Sequence, residues 1–368
     1  ETSFDALRAG DLTTFLQAAP SYGGSLILRA PFVYASELIG GGSLAAFRAA
    51  AIPCLLAGVL LGVHLFSKVP GRSKWLVLML AAANPITLRA LEIGHPEELL
   101  GGVFCVGAVL LALADRPAWA GLFLGLAFAN KAWAVVAIGP VLLALDHGRI
   151  RMLAVAAAAV AVILTPLILE GPSVTAGTKA AATTTGAIFQ PWQLFWFLGS
   201  HGEPVYGLYG LKENYRAAPD WIAPFARPVI GLMWIPITAL FWRLKPKRTD
   251  ALGLLSLLLL LRCVLDPWNA VYYELPFLLA LLAWEVYSGR RAPLLTLAAM
   301  ALVWISFQTA PNHVSPDLQA LSYLAWAIPA IGVLTLRLFL PPRFKALRSA
   351  TIEFARGRIP TLARSASA

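Results

Sequence analysis

Residues 118–145 read AWAGLFLGLAFANKAWAVVAIGPVLLAL, a run of 28 residues with Asn130-Lys131 at its middle. A membrane-spanning helix needs about 20 apolar residues to cross roughly 30 Å of hydrocarbon. The run is therefore either one long span with a buried lysine or two short half-spans folded into a hairpin. The choice matters because it sets the side of the membrane on which every later loop falls.

Composition places the chain in a membrane. Of its 368 residues, 59% are hydrophobic and only 13% charged, and the mean hydropathy is +0.72. A soluble domain carries about 25% charged residues, so a globule of this length could not cover its surface. The same figures exclude disorder, collagen, coiled coil and a disulfide-rich secreted scaffold. The three cysteines, Cys54, Cys105 and Cys263, lie in apolar stretches without metal-binding spacing and read as small buried residues.

Outside the central run, apolar segments lie near 44–66, 75–93, 99–114, 152–169, 227–242, 251–266, 270–287, 293–309 and 320–340. Loop charges then choose between the two readings. With the hairpin, and residues 1–43 outside, the inner loops and the tail 341–368 sum to +14 and the outer segments to −7. A single span would put the later basic loops outside, against the positive-inside rule. The hairpin gives an all-α, polytopic bundle of about eleven membrane segments in one integral domain, 1–340, with a basic cytoplasmic tail, 341–368. The excess of 29 Lys and Arg over 19 Asp and Glu orients the chain and gives no reason to expect a nucleic-acid partner. Gly58-x-x-x-Gly62 and Gly121-x-x-x-Gly125 suit close helix packing. Residues 1–16 read as one amphipathic helix, and the run 26–39, interrupted by Pro31, reads as interfacial.

Four polar clusters fall at outer helix ends. Glu92-Ile93-Gly94-His95-Pro96-Glu97-Glu98 is either a ligand site or a solvated turn with carboxylates at a helix N-terminus. Lys131, at the hairpin tip, is either a phosphate contact or a lysine reaching to the surface. A lysine deep in a bilayer costs ~2.5–3.5 kcal/mol, so a partner is expected. Arg262 and Asp266 are four apart and could pair on one helix face. Tyr273 and Glu274 crowd the same end. The long outer segment 170–226 carries Thr183-Thr184-Thr185 with Phe189, Trp192, Phe195, Trp196, Tyr206, Tyr209, Tyr215 and Trp221, suited equally to sugar stacking and to lipid headgroups. No three-residue metal pattern and no nucleotide-binding loop is evident. A transporter is the alternative function, although its polar residues belong near the midplane of several helices.

Three segments carry a family likeness. Leu91 to Leu100, Ala120 to Ala127 continuing into Asn130-Lys131, and Asp266-Pro267-Trp268-Asn269 continuing to Pro276 resemble, in order, motifs of the polyprenyl-phosphate-sugar-dependent GT-C glycosyltransferases. The resemblance is to glycosyltransferase family 87, which includes mannosyltransferases. It implies inverting transfer of a hexose, with mannose the first expectation, from a polyprenyl-phosphate donor to a lipid or glycan acceptor. The site would face outward from a bacterial plasma membrane, with no cofactor and no metal. His95, Glu97, Glu98, Lys131, Arg262, Asp266, Tyr273 and Glu274 become the substrate-binding candidates. His95 and Glu97 stand where the family tends to have Gln and Asn, and Tyr273 and Glu274 where it tends to have His. The family's general base is an aspartate in the first outer loop. That makes Asp5 and Asp11 the catalytic candidates and implies a further helix upstream of residue 1.

Overall fold

The computed structural model describes residues 2–19, 23–170, 179, 186–201, 206–207, 210–211, 215–222 and 224–340. The tail 341–368, Thr183-Thr184-Thr185 and Tyr209 lie outside these residues. Among the described residues the chain is helical apart from four two-residue strands, which form two antiparallel pairs. Ile188–Phe189 pairs with Arg216–Ala217, and Tyr206–Gly207 with Gly210–Leu211.

Five helices are long and apolar enough to cross a membrane: Ser43–Phe66, Ser73–Glu92, Arg149–Leu169, Leu294–Asn312 and Pro316–Phe339. They lie at the periphery, with most of their surface uncovered. Leu60, Val162 and Leu169 are each about 70% exposed or more. Apolar side chains left outward in this number need lipid around them. The centre is occupied by shorter helices, Glu97–Leu113, Asp250–Leu265 and Leu275–Tyr287, which are buried by the others on nearly every face. The chain is thus an all-α membrane protein.

The hairpin expected at 118–145 is present. Helix Pro117–Asn130 ends at Lys131, whose backbone is extended (φ −154°, ψ 127°). A 3-10 turn, Ala132–Ala137, and helix Ile138–Ala144 then return. The proof that the segment doubles back is Arg248. Its guanidinium donates to Asp115 at 2.7 Å and to Asp146 at 2.6 Å, one carboxylate from each end of the hairpin. It also donates to the carbonyls of Ala112 and Ala144. A single span would hold those ends some 40 Å apart, at 1.5 Å per residue.

The Arg248 cluster lies at the C-terminal end of the Glu97–Leu113 helix, and Lys131 lies beside its N-terminal end. Seventeen residues of helix separate the two, about 25 Å. Asp115 sits in a loop, and its bonds from Arg248 hold its carboxyl below the usual carboxylate range. A depressed pKa contributes stability that is present above the unfolded value of about 3.9 and is lost as pH falls. The cluster should therefore persist at pH 4 and open below it. Arg248→Gln should lower the midpoint of thermal unfolding at neutral pH, and by less at acid pH, where the carboxylates are protonated. Thermal unfolding in detergent at pH 7 and pH 3 checks both; an equal deficit at the two pH values would remove Asp115 and Asp146 from the account.

Glycines let the hairpin approach its neighbours at backbone distance. A Cβ on Gly121 would stand 2.2 Å from the Met152 carbonyl oxygen, and one on Gly125 2.5 Å from that of Ala156. On another face, a Cβ on Gly24 would meet the Ala129 carbonyl at 2.0 Å. Gly58 and Gly62 face Ala81 and Leu78 less closely, with backbone carbonyl oxygens 3.3 and 3.4 Å from where a Cβ would stand. Both small-residue motifs thus sit at helix contacts. Gly121→Val forces backbone apart, and should cost at least the 1–3 kcal/mol typical of overpacking. The midpoint of thermal unfolding reads it out, with Gly231→Val, which meets nothing, as the control.

Three local expectations are corrected. Residues 1–16 are two helices, Thr2–Arg8 and Leu12–Gln17, because Gly10 turns left-handed (φ +76°) and Asp11 caps the second. The stretch 26–39 belongs to a longer helix, Gly23–Leu38, which passes through Pro31 unbroken. Arg262 and Asp266 form no ion pair within 4 Å. The helix ends at Leu265, so Asp266 is extended (ψ 121°) and leaves the shared face.

Candidate functional site

Residues from several elements meet beside the N-terminus of the Glu97–Leu113 helix. Glu97 and Glu98 are fully buried there. Lys131 reaches them from the hairpin tip, with Nζ 3.3 Å from Glu97 Oε1 and 3.4 Å from Glu98 Oε1. Arg262 approaches Glu98 Oε2 at 3.7 Å, and Arg29 approaches Glu97 Oε2 at 3.9 Å. His95 Nδ1 lies 2.9 Å from Glu97 Oε1, and its ring stacks on Tyr272 with centroids 4.1 Å apart. Trp133 Nε1 donates to Glu98 Oε1 at 3.4 Å.

The backbone explains how these groups share one place. Lys131 projects from a break in the hairpin because the helix stops at Asn130. Asn130 Nδ2 donates to the Glu97 carbonyl at 2.9 Å and ties that break to the carboxylate helix. Gly101 makes the space: a Cβ there would stand 2.9 Å from Asn130 Nδ2 and 3.1 Å from Trp133. Arg262 is fixed by donating to the Tyr273 carbonyl at 3.0 Å. The rings of Tyr273 and Trp133 lie 4.2 and 4.8 Å from its Cζ.

Three cations, Arg29, Lys131 and Arg262, stand within 4 Å of the Glu97 and Glu98 carboxylates, in a region nearly closed to water. Asp266 and Glu274 also act on Arg262 from farther off. Cations fixed in place beside a cavity can hold an anion without reorganising. The second oxygens of Glu97 and Glu98 and Arg262 Nε have no hydrogen-bond partner among the described residues.

Next to the cluster is a cavity of about 570 Å³. Helices Thr2–Arg8, Gly23–Leu38 and Ser43–Ala49 wall it against residues 91–96. Asp5 and Arg29 face into it, with Phe4, Leu26, Leu44 and Phe47. Arg29 is therefore shared: it lines the cavity and also approaches Glu97. Asp5 Oδ1 accepts from Arg8 at 3.4 Å, and Arg8 donates to Glu37 at 2.6 Å.

The candidates from the sequence divide as follows. His95, Glu97, Glu98, Lys131, Arg262 and the backbone and ring of Tyr273 come together. Asp5 lines the adjoining cavity. Asp11 does not: its carboxylate accepts from the Thr14 amide and hydroxyl, which holds its pKa below the usual range and makes it a helix cap. Asp266 makes no ion pair with Arg262 within 4 Å; it accepts from the Trp268 amide at 3.1 Å and faces Arg227 at 3.8 Å, while still acting on Arg262 from farther off. Glu274 belongs to a different buried group, accepting from the Tyr323 hydroxyl at 2.8 Å and from Asn269.

Sequence reasoning missed Arg29, Asn130 as a positioning group, and Trp133. An arginine inside an apolar run was the available signal for Arg29. Among the described residues, several aromatics of the long outer segment are internal. Phe189 and Trp196 are buried with Ile222 and Ala320. Trp192 stacks on Phe307 at 4.7 Å. Arg216 and Trp196 both donate to Asp317. Phe189, Trp192 and Trp196 have a packing role, whereas Phe197, Trp221 and Phe225 are exposed.

Among the described residues, no three His, Cys, Asp or Glu side chains are grouped so as to hold a metal ion. No protein-family model, no curated protein and no solved structure matches the chain.

Proposed function

We propose that the protein is a membrane glycosyltransferase that moves a hexose, mannose in the first instance, from a polyprenyl-phosphate donor to an acceptor hydroxyl. The observation that carries this is the buried grouping of three cations around Glu97 and Glu98 at one end of the bundle, beside a cavity lined by the Asp5 carboxylate. In this reading the donor phosphate is held by Lys131 and Arg262. Asp5 takes the proton of the acceptor hydroxyl as its oxygen attacks the anomeric carbon. The bond from that carbon to the phosphate oxygen breaks, and the electron pair leaves with polyprenyl phosphate. The developing negative charge falls where cations are already fixed, the arrangement that lowers a barrier most. A phosphate leaves without protonation, so one base and the cations suffice.

The position of the cluster also weighs against a transporter, whose binding groups belong near the bilayer midplane. The topology that goes with the proposal is the eleven-segment one. Its short central helices complete the bundle, and the site-bearing end faces outward from a bacterial plasma membrane.

The test is transfer in membranes containing the protein, supplied with radiolabelled polyprenyl-phosphate mannose. Label should move to a membrane or glycan acceptor, and unlabelled polyprenyl phosphate should inhibit as a product. Absence of transfer from polyprenyl-phosphate mannose, glucose and galactose alike, with accumulation of a solute that depends on the protein, would replace this reading with the transporter.

A further inference from the structure

The cavity has chemistry of its own. Arg29 is 4% exposed, yet its guanidinium is lightly engaged. Nε donates to the Ser25 carbonyl at a long 3.3 Å, Nη2 stands 3.9 Å from Glu97, and Phe4 lies under Cζ at 5.8 Å. A guanidinium has five N–H donors, and a buried one is ordinarily saturated. Arg29 faces a cavity of about 570 Å³, a volume within the range of small-molecule sites. The polar groups Ser3, Asp5 and Ser43 line the same space.

The remaining wall is apolar and leads outward. Leu44 and Phe47 line the cavity and are 61% and 44% exposed. They lie in the first turns of Ser43–Phe66, one of the helices able to cross a membrane. The cavity mouth is therefore at the boundary of the hydrocarbon, where an acyl or prenyl chain leaving it would remain in lipid.

We infer that this cavity binds an anionic lipid, with its phosphate on Arg29 and its chains passing Leu44 and Phe47, and that this lipid is the acceptor of the proposed transfer. Its role as acceptor rests on the proposed function; its binding does not. Phosphate geometry matches a guanidinium fork, and the half-exposed carboxylate of Asp5 stands in the same cavity to meet a headgroup hydroxyl. A water-soluble glycan has no use for the apolar exit, and a neutral lipid has none for Arg29.

The experiment measures binding first, without transfer. The purified protein in detergent is titrated with dihexanoyl phosphatidic acid, with dihexanoylglycerol and with glycerol 3-phosphate, and unfolding temperature is recorded. Only the first should stabilise the protein. Arg29→Gln should raise its half-saturating concentration at least about tenfold, a change that corresponds to roughly 1.4 kcal/mol. Leu44→Ser with Phe47→Ser, at the exposed mouth, should weaken it without touching the charge cluster, which covers the case in which Arg29→Gln does not fold. Asp11→Asn, away from the cavity lining, should leave it within threefold.

Equal stabilisation by dihexanoylglycerol, or by glycerol 3-phosphate, would overturn the inference. So would loss of binding in Lys131→Gln with retention in Arg29→Gln, because the phosphate would then sit at the donor position. If binding follows Arg29 but no sugar is transferred to any anionic lipid while a glycan is labelled, the acceptor role fails and the glycosyltransferase reading stands. If binding follows Arg29 and nothing is transferred at all, the failure belongs to the glycosyltransferase reading.

Discussion

Lys131→Met should destabilise the protein by about 3–5 kcal/mol, the usual cost of removing one partner from a buried ion pair. Lys131 is the cation nearest both Glu97 and Glu98, at 3.3 and 3.4 Å, and both carboxylates are fully buried. Arg29 and Arg262 stand farther off, at 3.9 and 3.7 Å, beyond hydrogen-bond reach of those oxygens. Removing the ammonium would leave two buried negative charges close together with weak compensation. The triple variant Lys131→Met, Glu97→Gln, Glu98→Gln should regain most of the loss, because it removes the charges as well as their partner. Unfolding in detergent measures both. A triple variant as unstable as the single one would mean that Lys131 acts through packing and not through charge. Under the proposed function, the refolded triple variant should still transfer no sugar.

Asp5→Asn should lower transfer by about 10²–10⁴-fold, the range for loss of a general base, with little change in stability. The stability part follows from position. The Asp5 side chain is about half exposed, and its bond to Arg8 is a long 3.4 Å, so its loss removes a surface ion pair worth little. Asp11→Asn is the matched control. Asparagine caps a helix as well as aspartate does, so helix Leu12–Gln17 should persist and transfer should stay near the native rate. Initial rates at saturating donor decide the matter. Loss of activity in Asp11→Asn, with retention in Asp5→Asn, would reverse the two assignments.

The hairpin was legible because its consequence is global: sliding one span changes the sign of every later loop, and only one choice leaves the basic loops together. The cluster was legible in part for a related reason. An ionisable group in an apolar run must find a partner, so Lys131 carried the expectation of one; the sequence did not say that it would be Glu97 and Glu98, and it matched Arg262 with Asp266 instead. What failed depended on distance or on one residue of helix. Asp266 lies a single position past the helix end at Leu265, and that position decides whether it faces Arg262. Glu274 finds Tyr323, 49 residues away, a pairing with no trace in local pattern. Arg29 was passed over because its segment read as interfacial, where an arginine needs no partner. Its burial comes from Gly24 seating the helix against the Ala129 carbonyl.

Arg248 also has a consequence for how the chain is made. It joins Asp115 and Asp146, and it lies 102 residues after the second of them. At 5–20 residues per second, a ribosome needs roughly 5–20 s to travel that distance. For that interval the hairpin is in the membrane with two acidic ends side by side and no arginine between them. Its early hold on the bundle comes instead from the preceding helix Glu97–Leu113 and, soon after, from the backbone contacts of Gly121 and Gly125 with Arg149–Glu170. The loop of Arg248 then locks a hairpin already in place, so translation order makes Arg248 a late fastener of the hairpin and leaves the glycines to guide its insertion.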